Sequence, residues 1–154
     1  MKILFLDIDG VLNLSYQKSD KYGTIFHPQF IDNLKNIIDK TNPKIVISST
    51  WRHDGIDYLK ALWEYRNYPG DIIDITPSLM HKYNTTLCRG KEIEQWLSKN
   101  TIDNYCIIDD DSDMEPEQMN NFVKTSENFD HTDHIEGFGL TKECAEQVIK
   151  ILMK

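Results

Sequence analysis

The chain has 154 residues, 40% of them hydrophobic and 27% charged, which is enough apolar content for a single globular domain over residues 1–154 with its own core. No stretch approaches the roughly 20 apolar residues that span a bilayer, the first residues lack the order of a signal peptide, and the three widely spaced cysteines suggest neither a disulfide framework nor a zinc site, so a cytoplasmic protein with no membrane partner is expected. The net charge of -8 excludes a surface that grips polyanions broadly, because such binding runs on phosphate neutralisation, and it leaves room only for a local basic site.

Residues 2–6 form a short apolar run that stops at Asp7-Ile8-Asp9-Gly10, the pattern of a strand buried on both faces. Residues 13–26 are polar and read as an extended loop or short flap carrying Tyr16, Tyr22 and Gly23. Pro28 suits a first helical turn, and Phe30, Ile31, Leu34, Ile37 and Ile38 recur at helical spacing as far as Asn42-Pro43. Residues 44–47 predict a second buried strand, ending in Ser48-Ser49-Thr50-Trp51-Arg52, and residues 56–65 a helix with Tyr58, Leu59, Leu62 and Trp63 on its apolar side.

Within the weakly patterned region 68–89, residues 72–75 suit a short strand. Residues 90–97 predict a helix with Ile93, Trp96 and Leu97 inward, and residues 105–108 a third buried strand ending in Asp109-Asp110-Asp111. A short helix near 116–121, a strand over 122–125 and a final helix capped by Thr141 complete the chain. Strands alternating with helices predict an α/β fold with a central parallel sheet, in which ligands sit beyond the carboxyl ends of the strands. Asp7, Ser48 and Asp109 are each the first polar residue after an apolar strand, so three strands deliver polar groups to one rim.

Adjacent carboxylates repel unless a cation or a shared proton relieves them, so the clusters at 7–9 and 109–111 point to a metal. A lone DxDG is weak, since aspartate and glycine are common in solvated strand-end turns. A calcium loop starting at Asp109 is excluded, because its sixth position is Met114 where glycine is needed and its twelfth is Asn120 where glutamate is needed. Specificity comes from the ordered set: DIDGV after the first strand, hydroxyls after the second, a lysine opening a helix, and IIDDD after another strand.

In that order the motifs resemble those of the haloacid dehalogenase (HAD) superfamily, matched by Asp7-Ile8-Asp9-Gly10-Val11, Ser48, Lys91 and Asp109-Asp110. The phrases ISSTWR and RGKEIEQWL, with GLT before the last helix, more specifically resemble the phosphatase-type HAD domain of Swiss-Army-knife RNA repair proteins. The likeness runs from Met1 to about Leu152, with no motif over residues 54–87. It implies a three-layer Rossmann-like HAD fold with a minimal cap or none, and magnesium-dependent hydrolysis of a phosphomonoester.

By the same resemblance, Asp7 is the nucleophile that becomes an aspartyl phosphate, and Asp9 serves as acid and then base. Ser48, with Ser49 as the alternative, bonds a phosphoryl oxygen, and Lys91 adds positive charge beside Asp7. Mg2+ is held by the Asp7 carboxylate, the Asp9 carbonyl and an aspartate of the Asp109-Asp110 pair. Gly10 suits a close backbone approach after the strand, and Arg52 grips a second phosphate or caps a helix. Trp51 reads as core before it reads as a stacking face. His131-Thr132-Asp133-His134 reads as a solvated loop before it reads as a metal site.

The implied substrate is a phosphorylated RNA or DNA end, with a small nucleotide or sugar phosphate as the alternative. A phosphate-accepting switch would place its lysine after the last hydroxyl-bearing strand, and a silent binding module would have lost a key carboxylate; neither pattern is present.

Overall fold

A computed structural model describes residues 1–14, 18–79, 88–127 and 135–154; Tyr16 and the segment His131 to His134 lie outside them. In chain order the elements are β1 (Lys2–Leu6), a hairpin of β2 (Ser19–Asp20) and β3 (Gly23–Thr24), α1 (Pro28–Thr41), β4 (Lys44–Ile47), a 3₁₀ turn (Thr50–Asp54), α2 (Ile56–Tyr65) and β5 (Asp71–Ile75). They continue with α3 (Arg89–Ser98), β6 (Asn104–Asp109), a second 3₁₀ turn (Pro116–Asn121), β7 (Phe122–Lys124) and α4 (Lys142–Leu152).

The main sheet runs β5-β4-β1-β6-β7 with every neighbour parallel. Successive side chains of a strand point to opposite faces, and here both faces are covered, which is why the central strands carry almost uninterrupted apolar residues. Leu4, Leu6, Ile45, Ile47 and Ile108 pack with residues of α1, α2 and α4. Ile3, Phe5, Val46 and Ile107 face the other way, onto Ile93 and Trp96 of α3. The result is the expected three-layer Rossmann-like arrangement. From β1 the chain steps outward through β4 to β5, then crosses to β6 on the far side of β1, so the strand order reverses beside β1. Crevices at such reversals are where parallel sheets bind ligands.

Local signals place the helix ends as expected. Pro28 stands in the first turn of α1, and Asn42 closes it in the left-handed conformation at φ 47°. Thr141 accepts from the Cys144 amide at 3.1 Å and starts α4. No helix among the described residues is long and apolar enough to cross a membrane.

Three local features were less legible. The region read as a loop or flap contains the β2–β3 hairpin, whose ladder is only two residue pairs. Arg66 clamps it from a distance, donating to Asp20 Oδ1 at 2.8 Å and Oδ2 at 3.0 Å, to Thr24 O at 2.9 Å and to Gly23 O at 3.1 Å. The 3₁₀ turn after β4 forms because Ser49 Oγ accepts from the Trp51 amide at 3.2 Å. Finally, α3 begins at Arg89, one residue before the predicted start.

Candidate active site

The sheet hydrogen bonding continues past the strands into the rim. The Asp7 amide donates to Ile108 O at 3.0 Å, the Ser48 amide to Leu6 O at 3.1 Å and the Thr125 amide to Asp109 O at 3.0 Å. Asp7, Ser48 and Asp109 therefore leave the sheet at one edge, as the strand endings predict. Gly10 has φ +80°, and a Cβ there would lie 2.4 Å from Asp110 Oδ2, so the absent side chain lets Asp110 close on the first loop. Thr125 Oγ1 ties that loop down by donating to Gly10 O at 2.8 Å.

Asp7 and Asp109 are 5% and 1% exposed, too little for water to screen two negative charges. One carboxylate oxygen each from Asp7, Asp109 and Asp110 lie within 4.8 Å of one another. Burial, then the charge of Asp109, pushes the Asp7 carboxyl well above its ordinary range, while Arg89 opposes the rise. Burial likewise pushes Asp109 up to about 7, against the pull of Arg89. Glu127 at the outer rim is pushed to about 7 by burial and then by its hydrogen bond with Asp110.

Asp109 Oδ1 accepts from the Asp111 amide at 2.9 Å, whereas the buried Oδ2 has no hydrogen-bond partner among the described residues. Converging hard oxygens with an unsatisfied buried atom among them fit a hard divalent cation. The Asp9 carboxylate stands apart from this trio. It is exposed, and its Oδ2 accepts from Trp51 Nε1 at 3.1 Å.

The two serines divide their roles. Ser49 Oγ is engaged in capping the 3₁₀ turn, while Ser48 Oγ is fully buried with no hydrogen-bond partner among the described residues. Of the two, Ser48 therefore carries the hydroxyl that is not already engaged.

Two residues singled out in the sequence stand elsewhere than expected. Lys91 is exposed and, among the described residues, makes no ion pair with the acidic cluster. The cation placed there is Arg89, whose Nε lies 3.3 Å from Asp109 Oδ2, and whose Nε and one terminal nitrogen are buried without hydrogen bonds to the described residues. Helical geometry explains the exchange: positions 89, 92, 93 and 96 fall on one face, buried against the sheet, and 91 falls with 94 and 98 on the outer face. The neighbouring Gly90 lets α3 sit close, since a Cβ there would be 2.5 Å from the Glu115 amide nitrogen. Asp113 Oδ2 accepts from the Arg89 amide at 3.0 Å and so holds the start of the helix instead of a metal.

Arg52 is the second of the two, 4% exposed with its side chain turned inward. Its guanidinium meets Glu92 at 2.9 and 3.0 Å and donates to Ser48 O at 2.8 Å and, more weakly, to Ser49 O at 3.3 Å. Arg52 therefore braces the serine loop from behind. Glu92 was not anticipated at all; its place on the Ile93 and Trp96 face of α3 was the available signal.

The chain matches no curated protein and no solved structure. A family model described as the HAD domain in Swiss Army Knife RNA repair proteins matches residues 3–133, which include Asp7, Ser48, Arg89 and Asp109. With most of its length matched, the chain belongs to this family of HAD domains.

Proposed function

We propose that the chain is a magnesium-dependent phosphomonoester hydrolase that works through an aspartyl phosphate on Asp7 and acts on a polynucleotide end, RNA first among them. The observation that carries this reading is the meeting, at one sheet edge, of the Asp7, Asp109 and Asp110 carboxylates with the unpartnered Ser48 hydroxyl and the Arg89 guanidinium. Such a set suits a phosphoryl group, whose charge must be balanced before a carboxylate can approach it.

Asp7, the Asp109-Asp110 pair and the Asp9 carbonyl would hold the magnesium ion, whose chemistry is to offset negative charge on the phosphoryl oxygens. An Asp7 oxygen attacks phosphorus, the bond from phosphorus to the leaving oxygen breaks, and Asp9 gives that oxygen a proton. Asp9 then takes a proton from water as the water oxygen attacks phosphorus and the bond to Asp7 breaks, restoring both residues. Trp51 steadies Asp9 through Oδ2 and leaves Oδ1 for the proton. Ser48 and Arg89 hold phosphoryl oxygens.

The family's description as a domain of RNA repair proteins supports an RNA end; the alternative is a small nucleotide or sugar phosphate. A screen in magnesium of 3'-phosphate and 5'-phosphate oligonucleotides against mononucleotides and sugar phosphates tests both. A preference of about tenfold or more in kcat/KM for oligonucleotides, roughly 1.4 kcal/mol, is expected. Equal rates favour the small-phosphate alternative, and no turnover of any of them refutes the hydrolase reading.

Replacing Arg89 by alanine is expected to lower kcat/KM about a hundredfold, equivalent to roughly 2.7 kcal/mol of transition-state stabilisation. Lys91→Ala should change it less than about twofold, because an exposed cation on the outer face is screened by solvent. The reverse order in steady-state kinetics would return the role to Lys91.

The raised carboxyl pKa values also set a pH dependence. Below the ordinary value of 3.8 Asp109 is protonated in folded and unfolded chain alike and adds no penalty; as pH rises from there to about 7 only the unfolded chain ionises, so metal-free stability falls across that window and levels off above it. Magnesium binds the ionised form, so its effect on the melting temperature should be larger at pH 8 than at pH 5. At a hundredfold excess over Kd the gain is about 2.7 kcal/mol. Melting curves with chelator and with magnesium measure it, and the joint replacement Asp109→Asn with Asp110→Asn should remove the response.

A further inference from the structure

The group cut from phosphate must lie where Asp9 can protonate its oxygen, and the neighbour that fixes Asp9 is the indole of Trp51, 3.1 Å away. That same indole forms part of the wall of a cleft of about 420 Å³, with Tyr22, Tyr58, Thr50 and Asp54 among its other walls. Proton donor and cleft are thus one side chain apart.

The walls are braced. Tyr22 comes from the β2–β3 hairpin that Arg66 clamps, and it meets Tyr58 of α2 edge-on at 5.3 Å. Phe26 backs Trp51 edge-on at 5.4 Å, and a Cβ on Gly23 would lie 3.8 Å from Trp51 Cη2, so the hairpin passes over the end of the indole. Among the described residues no lysine or arginine lines the cleft, and Asp54 adds a carboxylate. That charge balance disfavours a further phosphate inside it, while aromatic rings with hydroxyls and a carboxylate between them suit a planar uncharged ring whose edge carries N–H donors.

We infer that this cleft is the leaving-group subsite and that it takes the nucleobase of the nucleotide bearing the phosphate, against Trp51, Tyr22 and Tyr58. The inference rests on the hydrolase reading above and adds to it a reason for selecting a terminal nucleotide over a sugar phosphate. Aromatic contacts discriminate by the presence of a base and tolerate which base it is.

The test uses 3'- and 5'-phosphorylated trinucleotides that carry either adenine or an abasic ribose at the phosphorylated position, so that charge and length are matched. For the end that is turned over, the wild-type protein should prefer adenine about tenfold or more in kcat/KM, and Tyr22→Leu with Tyr58→Leu should cut that ratio about tenfold. A ratio near one in the wild type, or an unchanged ratio in the double variant, overturns the subsite. If the double variant fails to fold by circular dichroism, Tyr22→Leu alone is read in the same way.

A second measurement separates the two readings. Titration of phosphate-free adenosine should shift the indole Nε1–H resonance of Trp51, assigned by its loss in Trp51→Phe. A saturable shift without turnover of any trinucleotide would leave the subsite standing and the hydrolase reading fallen. Turnover with equal rates and an unmoved indole would do the opposite.

Discussion

Asp7→Asn is expected to remove phosphomonoester turnover by at least about 10⁴-fold, equivalent to roughly 5.4 kcal/mol, in a protein that still folds. The carboxamide is nearly the same size and can occupy the same buried place, yet it cannot act as the nucleophile. Its effect on stability should have the opposite sign. Burial and the neighbouring carboxylates push the Asp7 pKa up, so at a pH where the unfolded chain has already ionised this group the metal-free native state is penalised, and a neutral side chain escapes that penalty. The metal-free variant should therefore melt above the metal-free wild type, and magnesium should help it less. Kinetics and melting together decide the point: a folded variant that kept more than about a tenth of the activity, a loss of only ~1.4 kcal/mol, would dismiss Asp7 as the nucleophile.

The second large effect is on the fold. Glu92→Ala strands the Arg52 guanidinium, which is 3% exposed and meets no other carboxylate in an ion pair among the described residues. Breaking a buried pair by removing one partner costs about 3–5 kcal/mol, because the remaining charge stays dry. The Leu79 amide, 3.1 Å from Glu92 Oε1, loses its acceptor as well. Urea unfolding should report a loss in that range, and pairing the change with Arg52→Met should recover much of it, since an apolar pair avoids the stranded charge. A cost below about 1 kcal/mol for the single variant would show that water reaches the guanidinium and that the pair is not the brace described above.

Residues that end buried strands were the most legible part of this chain. Asp7, Ser48 and Asp109 each interrupt an apolar run, and a parallel sheet has one edge where such interruptions gather. Helix-borne residues were harder, because a helix distributes its side chains by angle. Setting the start of α3 at Gly90, a poor helix former, gave no reason to inspect Arg89, although its spacing of four from Ile93 and seven from Trp96 marks the buried face. Arg52 was hard to place for a different reason. It follows the serines in sequence, but the 3₁₀ turn rotates it inward to Glu92, forty positions away. Ser48 is the first hydroxyl after the β4 strand, and the capping bond from the Trp51 amide to Ser49 adds a reason to prefer it that sequence could not supply.

The position of β1 between β4 and β6 has a mechanical consequence. Displacing Asp7 would disturb ladders on both flanks at once, so its backbone is stiff, and on the hydrolase reading proposed above a substrate has to bring its phosphorus to a fixed point. The β2–β3 hairpin has far less backbone pairing, only two residue pairs, and is held instead by side chains, through Arg66 and the contact of Tyr22 with Tyr58. On that reading, leaving groups of different bulk are met by small shifts of the hairpin, whose ladder is short, while the reaction centre keeps one geometry for all of them.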